Sequence, residues 1–596
     1  MKRITCLLFA LSLLSVGSLV TKGADSGAAF KACAATVSSE KNDNLLYYYI
    51  SCNAPNAKVY IDGKPVDETA SILLSKGTHT IKAVADYYED YSTKVKVNHE
   101  NDIIEVAMTE KNDAESQYQL GVNYYDGTLE FPEDHVKAIV HFWKAAQQGH
   151  PKAQNMLGIC FENGHGTIQN DDEAFMWYKK AADQGLAAAQ NNVGACYLEG
   201  IGVVEDHAEA VKWFKMAVEQ DYLLALYNLG DCYNEGYGVT QDKAEAVRLY
   251  TIAAERGLAV AQTELGNCYA SGNGVPQDYA NAIKWYSAAA EQEDDEAQYL
   301  LGEYYFNCDV MQPNVEEAVK WYTKSAEQGN DSAQFMLGTC YFYGVGVEQN
   351  YEIAVEWFRA SAYQGNSHAQ NHLGYCYVYG LGVEQDYDAA IPWYMMSAQQ
   401  NDIDGLYNLG QRYYYGQGVD QDFNEAREWY YKAALLGHPM AQVRMGIYYE
   451  ECEEYVEAAE YYWLGAEQGS ADGQHFLGHC YEKGLGVTQS YENALHWYRL
   501  AAEQGMDEAI YHVGEYYEKG QSVKKDLAEA AKWYKQAAED GYAPAEYKMG
   551  YIFEKGLGVP KDYINASYWY NCACEKGYPG AEAALTRLDA KLSSQK

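Results

Sequence analysis

Basic residues are scarce in this chain of 596 residues. It contains 44 Lys and Arg against 85 Asp and Glu, which gives a formal net charge of −41 at pH 7. Nucleic acids and anionic lipids are repelled by a surface of this sign, so the sequence predicts no nucleic-acid partner. Hydrophobic residues nevertheless make up 48% of the chain. That is too apolar for an acidic disordered tail, so most of the chain is expected to fold around a core.

Long apolar runs are absent after residue 20. The one such run follows Met1-Lys2-Arg3 and extends from Ile4 to Val20. A basic start followed by a short apolar stretch is typical of a secretory signal peptide. The sequence therefore predicts a signal peptide at 1–24, a linker at 25–45 and no transmembrane segment in the mature chain. An uncleaved anchor is the alternative, because the run falls just short of the roughly 20 residues that span a bilayer.

Motifs that carry catalysis or hold metals are also missing. The sequence contains no His-Glu-x-x-His, no Cys-x-x-Cys and no Gly-x-Ser-x-Gly. Its Gly-x-Gly pairs lie between two predicted helices, whereas a dinucleotide site needs them between a strand and a helix. We therefore predict that the chain is not an enzyme and that it has no cofactor and no metal site.

Residues 46–110 differ from all that follows. Apolar and polar residues alternate in 58–61, 80–84 and 94–97, and Asp62-Gly63 marks a tight turn after the first of these segments. This pattern predicts a small antiparallel β-sandwich. The segments "NAKVYIDGKPV" and "LSKGTHTIKAV" resemble the PEGA family of bacterial surface and envelope β domains, which implies a spacer or adhesive module. Cys33 and Cys52 are the one plausible disulfide pair.

From residue 111 to residue 590 the sequence repeats itself. A Leu-Gly step or its equivalent recurs every 36 residues, with one interval of 37 and one of 32. Self-similarity at this period predicts a solenoid. The thirteen anchor glycines are Gly121, Gly158, Gly194, Gly230, Gly266, Gly302, Gly338, Gly374, Gly410, Gly446, Gly478, Gly514 and Gly550.

Each unit has the pattern of two helices. Apolar positions around the anchor glycine fall on one helical face, a Gly-x-Gly loop follows in most units, and a second helix carries Ala-x-x-Trp-Tyr-x-x-Ala. All twelve Trp belong to this array and are predicted to be core residues. Asp, Asn or Ser at the start of the second helix is predicted as its N-cap: Asn170, Asp206, Asp242, Asp278, Asn314, Asn350, Asp386, Asp422, Ser490, Asp526 and Asp562.

One column of the repeat holds cysteine in seven units. Neighbouring units place this position about 8–10 Å apart, too far for a disulfide. We therefore predict buried, reduced thiols at Cys160, Cys196, Cys232, Cys268, Cys340, Cys376 and Cys480. The pattern A-x-x-x-L-G-x-x-Y … G-x-G-V … D-x-x-x-A-x-x-W-Y-x-x-A-A resembles the Sel-one-like repeat family, a relative of the tetratricopeptide repeat. The resemblance implies a mainly α fold, a right-handed superhelical solenoid of about 13 helical hairpins that serves as an adaptor for other proteins. Residues 591–596 are predicted to form a tail after the last repeat.

If the geometry follows tetratricopeptide repeats, the first helix of each hairpin lines a concave groove. Aromatic residues occupy the groove positions of the middle units: Tyr299, Phe306, Phe342, Tyr343, Tyr375, Tyr379, Tyr407, Tyr414 and Tyr415. Polar and acidic residues occupy the same positions toward the ends: Asn155, Asn191, Glu199, Asp231, Asn234, Glu235, His475, His479, Glu482, Glu518 and Glu554. Such a stripe suits an extended partner with ring-stacking groups. The alternative is that these rings pack between hairpins.

The sequence therefore predicts an exported scaffold that binds protein or peptide partners. A cell-wall glycan binder is the first rival, because tyrosine rings stack on sugars. A β-lactam-interacting enzyme is the second, although the cysteine-rich relatives with that activity carry two Cys per repeat and this chain carries one. The predicted compartment is the bacterial periplasm, the cell surface or the medium. The alternative is the lumen of the endoplasmic reticulum, where Asn330 and Asn565 would be glycosylation acceptors.

Overall fold

The computed structural model describes residues 45–66, 72–98, 102–307 and 313–594. The predicted signal peptide at 1–24 and Cys33 lie outside these ranges, so the pairing of Cys33 with Cys52 stays a prediction. The chain falls into two compact units, divided between Ala297 and Gln298. The first unit holds a β domain and the earlier helices, and the second holds the later helices.

Two small sheets share one core at the start of the first unit. The described strands are β1 (Leu45–Cys52), β2 (Lys58–Ile61), β3 (Lys64–Val66), β4 (Ile72–Ser75), β5 (Gly77–Val84), β6 (Tyr91–Val97) and β7 (Asp102–Val106). One sheet has the order β4-β1-β7 and the other β3-β2-β5-β6. Apolar residues from both sheets, among them Tyr48 and Ile81, meet in a single cluster, as expected for a sandwich.

The predicted small antiparallel sandwich is confirmed, with one strand pair that differs. β1 pairs with β7 in parallel, with Ile50 opposite Ile104, whereas every other pairing among the described strands is antiparallel. Parallel neighbours need a long connection between them, and here that connection is the intervening β domain. The pairing brings the last strand beside the first.

Helices make up the described chain from residue 114 onward. They are α1 (Ala114–Asp126), α2 (His135–Gln147), α3 (Pro151–Asn163), α4 (Asp171–Asp183), α5 (Ala187–Glu199), α6 (His207–Val218), α7 (Leu223–Glu235), α8 (Lys243–Glu255), α9 (Ala259–Ser271), α10 (Tyr279–Ala290), α11 (Asp295–Asn307), α12 (Val315–Glu327), α13 (Asp331–Tyr343), α14 (Tyr351–Tyr363), α15 (Ser367–Tyr379), α16 (Tyr387–Gln399), α17 (Ile403–Tyr415), α18 (Phe423–Leu435), α19 (Pro439–Glu451), α20 (Tyr455–Glu467), α21 (Ala471–Lys483), α22 (Tyr491–Glu503), α23 (Asp507–Lys519), α24 (Leu527–Glu539), α25 (Ala543–Lys555), α26 (Tyr563–Glu575) and α27 (Ala581–Ser594). Consecutive odd and even helices form the predicted hairpins, and α27 extends into the segment expected as a tail. Within the described ranges, every helix is too short or too polar to cross a bilayer.

The anchor glycines make room for an aromatic ring of the second helix. At all thirteen, a Cβ atom would lie within 3.0 Å of that ring. Gly374, for example, faces Tyr394, and Gly338 faces Phe358. Glycine is less favourable than alanine inside a helix by about 1 kcal/mol, so the close approach of the two helices explains why it recurs.

The turns follow the predicted local signals. All eleven predicted N-cap side chains accept a hydrogen bond from the first turn of their helix. In the Gly-x-Gly loop after α15, Gly380 ends the helix in the left-handed region at φ 67°. Gly382 also has positive φ, and a Cβ there would overlap the carbonyl oxygen of Tyr351 in the preceding hairpin. The loops therefore connect neighbouring hairpins as well as the two helices of one hairpin.

The cysteine column is buried in all seven units, which confirms that prediction. The prediction that all Trp are core residues is wrong. Trp177, Trp213 and Trp569 are buried, Trp143 and Trp463 are exposed, and the others are half-buried. At ten of the twelve Trp, the aromatic residue directly after the Trp faces the anchor glycine, because consecutive residues differ by 100° around a helix. At the two exposed ones, Trp143 and Trp463, the facing ring belongs to the residue directly before, Phe142 or Tyr462.

Candidate functional site

The predicted groove residues lie on four consecutive first helices, and all of these residues fall in the second unit. Tyr299 and Phe306 lie on α11, Phe342 and Tyr343 on α13, Tyr375 and Tyr379 on α15, and Tyr407, Tyr414 and Tyr415 on α17. Because equivalent positions recur once per hairpin, the four helices present these side chains at matching positions. The structure separates them into rings that face solvent and rings that pack inside.

Five tyrosines face solvent, and we call them the tyrosine stripe: Tyr343, Tyr375, Tyr379, Tyr414 and Tyr415. Tyr343, Tyr379 and Tyr415 occupy the same register in three successive hairpins and are 59%, 54% and 50% exposed. The same register holds Asn307 before them and Glu451 after them. The stripe is therefore confined to three hairpins.

The remaining four predicted rings are partly or fully packed. Phe342 is buried, with its ring centroid 6.0 Å from that of Phe358. Tyr407 stacks on His438 at 4.2 Å. Tyr299 and Phe306 are half-buried, each with its ring centroid 6.2 Å from that of Tyr322. Of these four, Phe342 contacts two rings of the stripe, those of Tyr343 and Tyr375.

Ring contacts join the stripe across hairpins. The ring centroids of Tyr375 and Tyr379 are 4.4 Å apart on α15, and those of Tyr414 and Tyr415 are 5.0 Å apart on α17. The buried ring of Phe342 lies 6.2 Å from Tyr375 and so connects α13 with α15. Such edge and tilted contacts hold aromatic rings in fixed orientations. The stripe is thus a partly ordered aromatic surface.

Two arginines beside the stripe were not predicted from the sequence. Arg412 of α17 is only 4% exposed, and its Nη1 and Nη2 donate to Gln417 at 2.6 Å and Gln411 at 3.2 Å. Among the described residues, its Nε has no hydrogen-bond partner and no carboxylate lies within ion-pair distance of it. The guanidinium of Arg444 lies 5.7 Å from the ring centroid of Tyr414, a cation–π arrangement.

One sequence signal could have identified Arg412. It lies two residues after the anchor Gly410, in the column that holds cysteine in seven units, and it is the one charged residue in that column. Burying a cation without a carboxylate costs free energy. The substitution therefore marks the hairpin of Tyr414 and Tyr415 as different from its neighbours.

Two of the acids predicted at groove positions toward the end of the array, Glu518 and Glu554, are engaged within the fold. Glu518 accepts a hydrogen bond from the hydroxyl of Tyr534 at 2.7 Å and pairs with Lys548 at 2.8 Å. Glu554 is buried and pairs with Arg587 at 2.8 Å. These carboxylates already have partners, so they offer little to a ligand with basic ends.

A cavity of about 600 Å³ lies beside the starts of α17 and α19. Nδ1 of His368 lies 2.7 Å from the buried carboxylate of Asp402, which raises the pKa of His368 through that hydrogen bond. The hydroxyl of Ser367 also lies near Asp402, at 3.4 Å, so it does not form the serine-to-histidine bond of a nucleophilic triad. Over the part of the chain that the structure describes, no group of three His, Cys, Asp or Glu is arranged to hold a metal ion.

Comparison with known proteins identifies both parts of the chain. The Sel1 repeat matches twelve segments, 114–150, 151–186, 187–222, 223–258, 259–294, 295–330, 331–366, 367–402, 403–438, 471–506, 507–542 and 543–578. The PEGA domain matches residues 46–112. No curated protein matches the chain. The hairpin of α19 and α20, whose loop is shorter, is the unit between the two runs of matches.

Two solved structures are similar to this chain. The structure of c5321, described as a protective antigen in uropathogenic Escherichia coli strains with an SLR fold, is 35% identical. That match covers 76% of this chain and 97% of c5321, with a TM-score of 0.59. A Sel1 repeat protein from Oxalobacter formigenes is 29% identical over 54% of this chain and 91% of its own, with a TM-score of 0.37. Sel1-repeat proteins are helical-repeat scaffolds that typically mediate protein interactions. This chain belongs to the Sel1 repeat family and carries a PEGA domain ahead of its repeats.

Proposed function

We propose that this protein is an exported, non-enzymatic scaffold that binds an extended peptide segment of a partner on the tyrosine stripe. The observation that carries the proposal is the exposure of Tyr343, Tyr379 and Tyr415 in one register of three successive hairpins. Exposed aromatic side chains are enriched at interfaces, where they contribute large contact areas at a low cost in conformational entropy. Export is supported by the apolar run after Met1-Lys2-Arg3 and by the PEGA domain.

The test compares two triple variants that remove the same number of exposed rings. Replacing Tyr343, Tyr379 and Tyr415 with Ser changes the stripe. Replacing Tyr363, Tyr431 and Tyr568 with Ser changes exposed tyrosines on second helices of the same unit. We expect partners captured by the wild-type chain to be lost from the first variant and kept by the second, at equal melting temperatures. Lower stability of the first variant with unchanged capture would show that the rings are structural.

A glycan is the second candidate, because the rings of Tyr379 and Tyr415 are about half exposed and can stack on sugars. Retention on solubilised cell-wall glycan, measured for the same two variants, separates this candidate from a protein partner. For the less favoured enzymatic alternative, we expect no covalent labelling of the intact chain by a fluorescent penicillin. Labelling abolished by mild denaturation would replace the scaffold proposal with a catalytic one.

A further inference from the structure

A diagonal row of lysines crosses the outer face of the four-stranded sheet. Lys58 of β2 lies opposite Val84 of β5, and Lys94 of β6 lies opposite Thr80 of β5. Each is thus displaced by one pleat from Lys82, in opposite directions along β5. Diagonal neighbours on adjacent strands lie about 7 Å apart. The three lysines therefore form a straight row across three strands.

Lys96 extends this row along β6. It follows Lys94 by two residues, so it lies on the same face at a further distance of about 7 Å. All four lysines are exposed. None of them forms an ion pair with any residue that the structure describes. We call Lys58, Lys82, Lys94 and Lys96 the lysine row.

The sheet that carries the row contains no acidic residue in its strands β2, β3, β5 and β6. This contrasts with residues 113–596, which contain 32 basic and 72 acidic residues. Asp62 lies at the end of β2, but its carboxylate already contacts His79 and the backbone N–H of Thr80. Four neighbouring like charges repel one another, so the row is costly unless an anion is bound to it.

Protection of an exposed strand edge explains only part of the row. Lysines on edge strands prevent pairing with other chains, and β6 is an edge strand of this sheet. Lys58 and Lys82, however, lie on the inner strands β2 and β5. Edge protection gives no reason for lysine at these two positions.

We propose that the lysine row binds a linear polyanion whose negative groups follow one another along a chain. Four cations at steps of about 7 Å, the first three in a straight line and the fourth along β6, fit a strand of successive anions better than they fit one small anion. The residues between the lysines include Thr78, Thr80 and Ser92, whose hydroxyls can donate hydrogen bonds to phosphate or sulfate oxygens. A membrane surface would instead favour exposed aliphatic or aromatic groups for insertion, and Val84 is the one large apolar side chain exposed on this face of β5.

Ionic strength limits how far the acidic repeats oppose such a ligand. The Debye length is about 8 Å at physiological salt, so acidic groups farther away than this are largely screened. The electrostatic energy of an anion on the sheet is therefore set mainly by the lysine row. The proposal is independent of the tyrosine stripe, which belongs to the other unit.

The experiment measures binding of the full chain to linear inorganic polyphosphate by fluorescence anisotropy at several salt concentrations. The test variant carries Lys58→Gln, Lys82→Gln and Lys94→Gln. The control carries Lys64→Gln, Lys76→Gln and Lys111→Gln, which lowers the net charge equally but leaves the row intact. We expect at least about 10-fold weaker binding for the test variant and less than 3-fold for the control. The slope of log K against log salt should decrease by about 2 for the test variant, since each lost phosphate contact contributes about 0.7 on a flexible strand.

Three results would overturn the proposal. The first is an equal loss of affinity in both variants, which would show a response to net charge alone. The second is binding of the wild-type chain to phosphatidylglycerol vesicles but not to polyphosphate, which would indicate a membrane. The third is self-association of the wild-type chain without polymer, abolished in the test variant, which would indicate that a second copy occupies the row. Circular dichroism of both variants is the control that tests whether they fold.

Discussion

Nε2 of Gln400 donates a hydrogen bond to Oε1 of Gln370 across 2.9 Å. Gln370 in turn donates its own amide to the carbonyl of Ala362 in the preceding hairpin, at 3.1 Å. The same relation between the start of a first helix and the end of its second helix recurs along the array. In the hairpin of α25 and α26 an ion pair between Lys576 and Glu546 replaces it. Where this glutamine is present, one side chain links a hairpin to itself and to its predecessor. Three other hairpins hold Leu226, Leu406 or Ile510 at the same position and lack the relay.

Replacing Gln370 with Leu should therefore remove two hydrogen bonds at once, those to Ala362 and from Gln400. We expect a local loss of about 1–2 kcal/mol, because the buried Ala362 carbonyl and the Gln400 amide both lose a partner. Hydrogen exchange in α14 and α15 should accelerate roughly 5- to 30-fold. Gln400→Ala is the matched control and should have a smaller effect, since Gln370 still reaches Ala362. The other acceptor of Gln400, the carbonyl of Gly365, is exposed and can bind water instead. Equal acceleration in both variants would contradict the relay.

Replacing Gly374 with Ala should destabilise the hairpin of α15 and α16. The new Cβ would lie 2.9 Å from the ring of Tyr394, and overpacking of this kind costs about 1–3 kcal/mol. The gain in helix propensity returns only about 1 kcal/mol. Thermal unfolding should show a lower Tm, and adding Tyr394→Leu should cost less than the sum of the two single changes. Strictly additive losses of stability in the double variant would show that contact with the Tyr394 ring is not the reason for glycine at position 374.

The β domain should lose stability as the pH rises. Nδ1 of His79 lies 2.7 Å from Oδ2 of Asp62, and its Nε2 lies 2.8 Å from the carbonyl oxygen of Ser75. Both ring nitrogens face acceptors, so the imidazolium satisfies both bonds. The hydrogen bond to the Ser75 carbonyl, and to a smaller extent the contact with Asp62, raises the pKa of His79 above its ordinary value of 6.5.

Because the folded pKa is the higher one, this contribution is complete below about pH 6.5 and disappears as the pH rises through the folded pKa. Calorimetry of the full chain between pH 5.5 and 9 should show the β-domain transition moving to lower temperature. The His79→Gln variant should lack this dependence. A wild-type transition independent of pH over this range would refute the imidazolium assignment.

Replacing Arg412 with Met should stabilise the free protein or leave it unchanged. The side chain is buried, and no described carboxylate pairs with it, so an apolar residue of similar length avoids the cost of desolvating a charge. Cys376→Arg puts the same cation in the equivalent position one hairpin earlier and should lower Tm by several degrees. A lower Tm for Arg412→Met would show that the guanidinium contributes net stability. Reduced partner capture by Arg412→Met at unchanged Tm would indicate that the buried guanidinium contributes to partner binding.

Local signals repeated many times made the solenoid predictable. An N-cap such as Asp386 acts within one turn of its own helix. An anchor glycine such as Gly374 faces a ring twenty residues away, an offset that eleven of the thirteen units share. Repetition distinguishes such signals from chance. The parallel pairing of β1 with β7 has no comparable signature, because alternation of apolar and polar residues indicates a strand but not its neighbour or direction.

The candidate site was only partly predictable for the same reason. Register placed Tyr343, Tyr379 and Tyr415 in one column, and the structure shows that column to face solvent. Phe342, one residue earlier than Tyr343, is buried, because adjacent residues point 100° apart around a helix. The sequence pattern did not separate the two, since both are aromatic. Phe423, exposed at the start of α18 with its ring centroid 5.3 Å from that of Tyr414, was missed because it belongs to a second helix.

The contact between Gly382 and the start of α14 has an evolutionary consequence. Most hairpins contact their predecessor through the second glycine of a loop, through a glutamine of the first helix, or through both. Duplication of a 36-residue segment therefore inserts a unit whose two junctions are already compatible with those on either side. A lineage can lengthen or shorten such an array by whole units, with no compensating change elsewhere, while single columns diverge to recognise new partners.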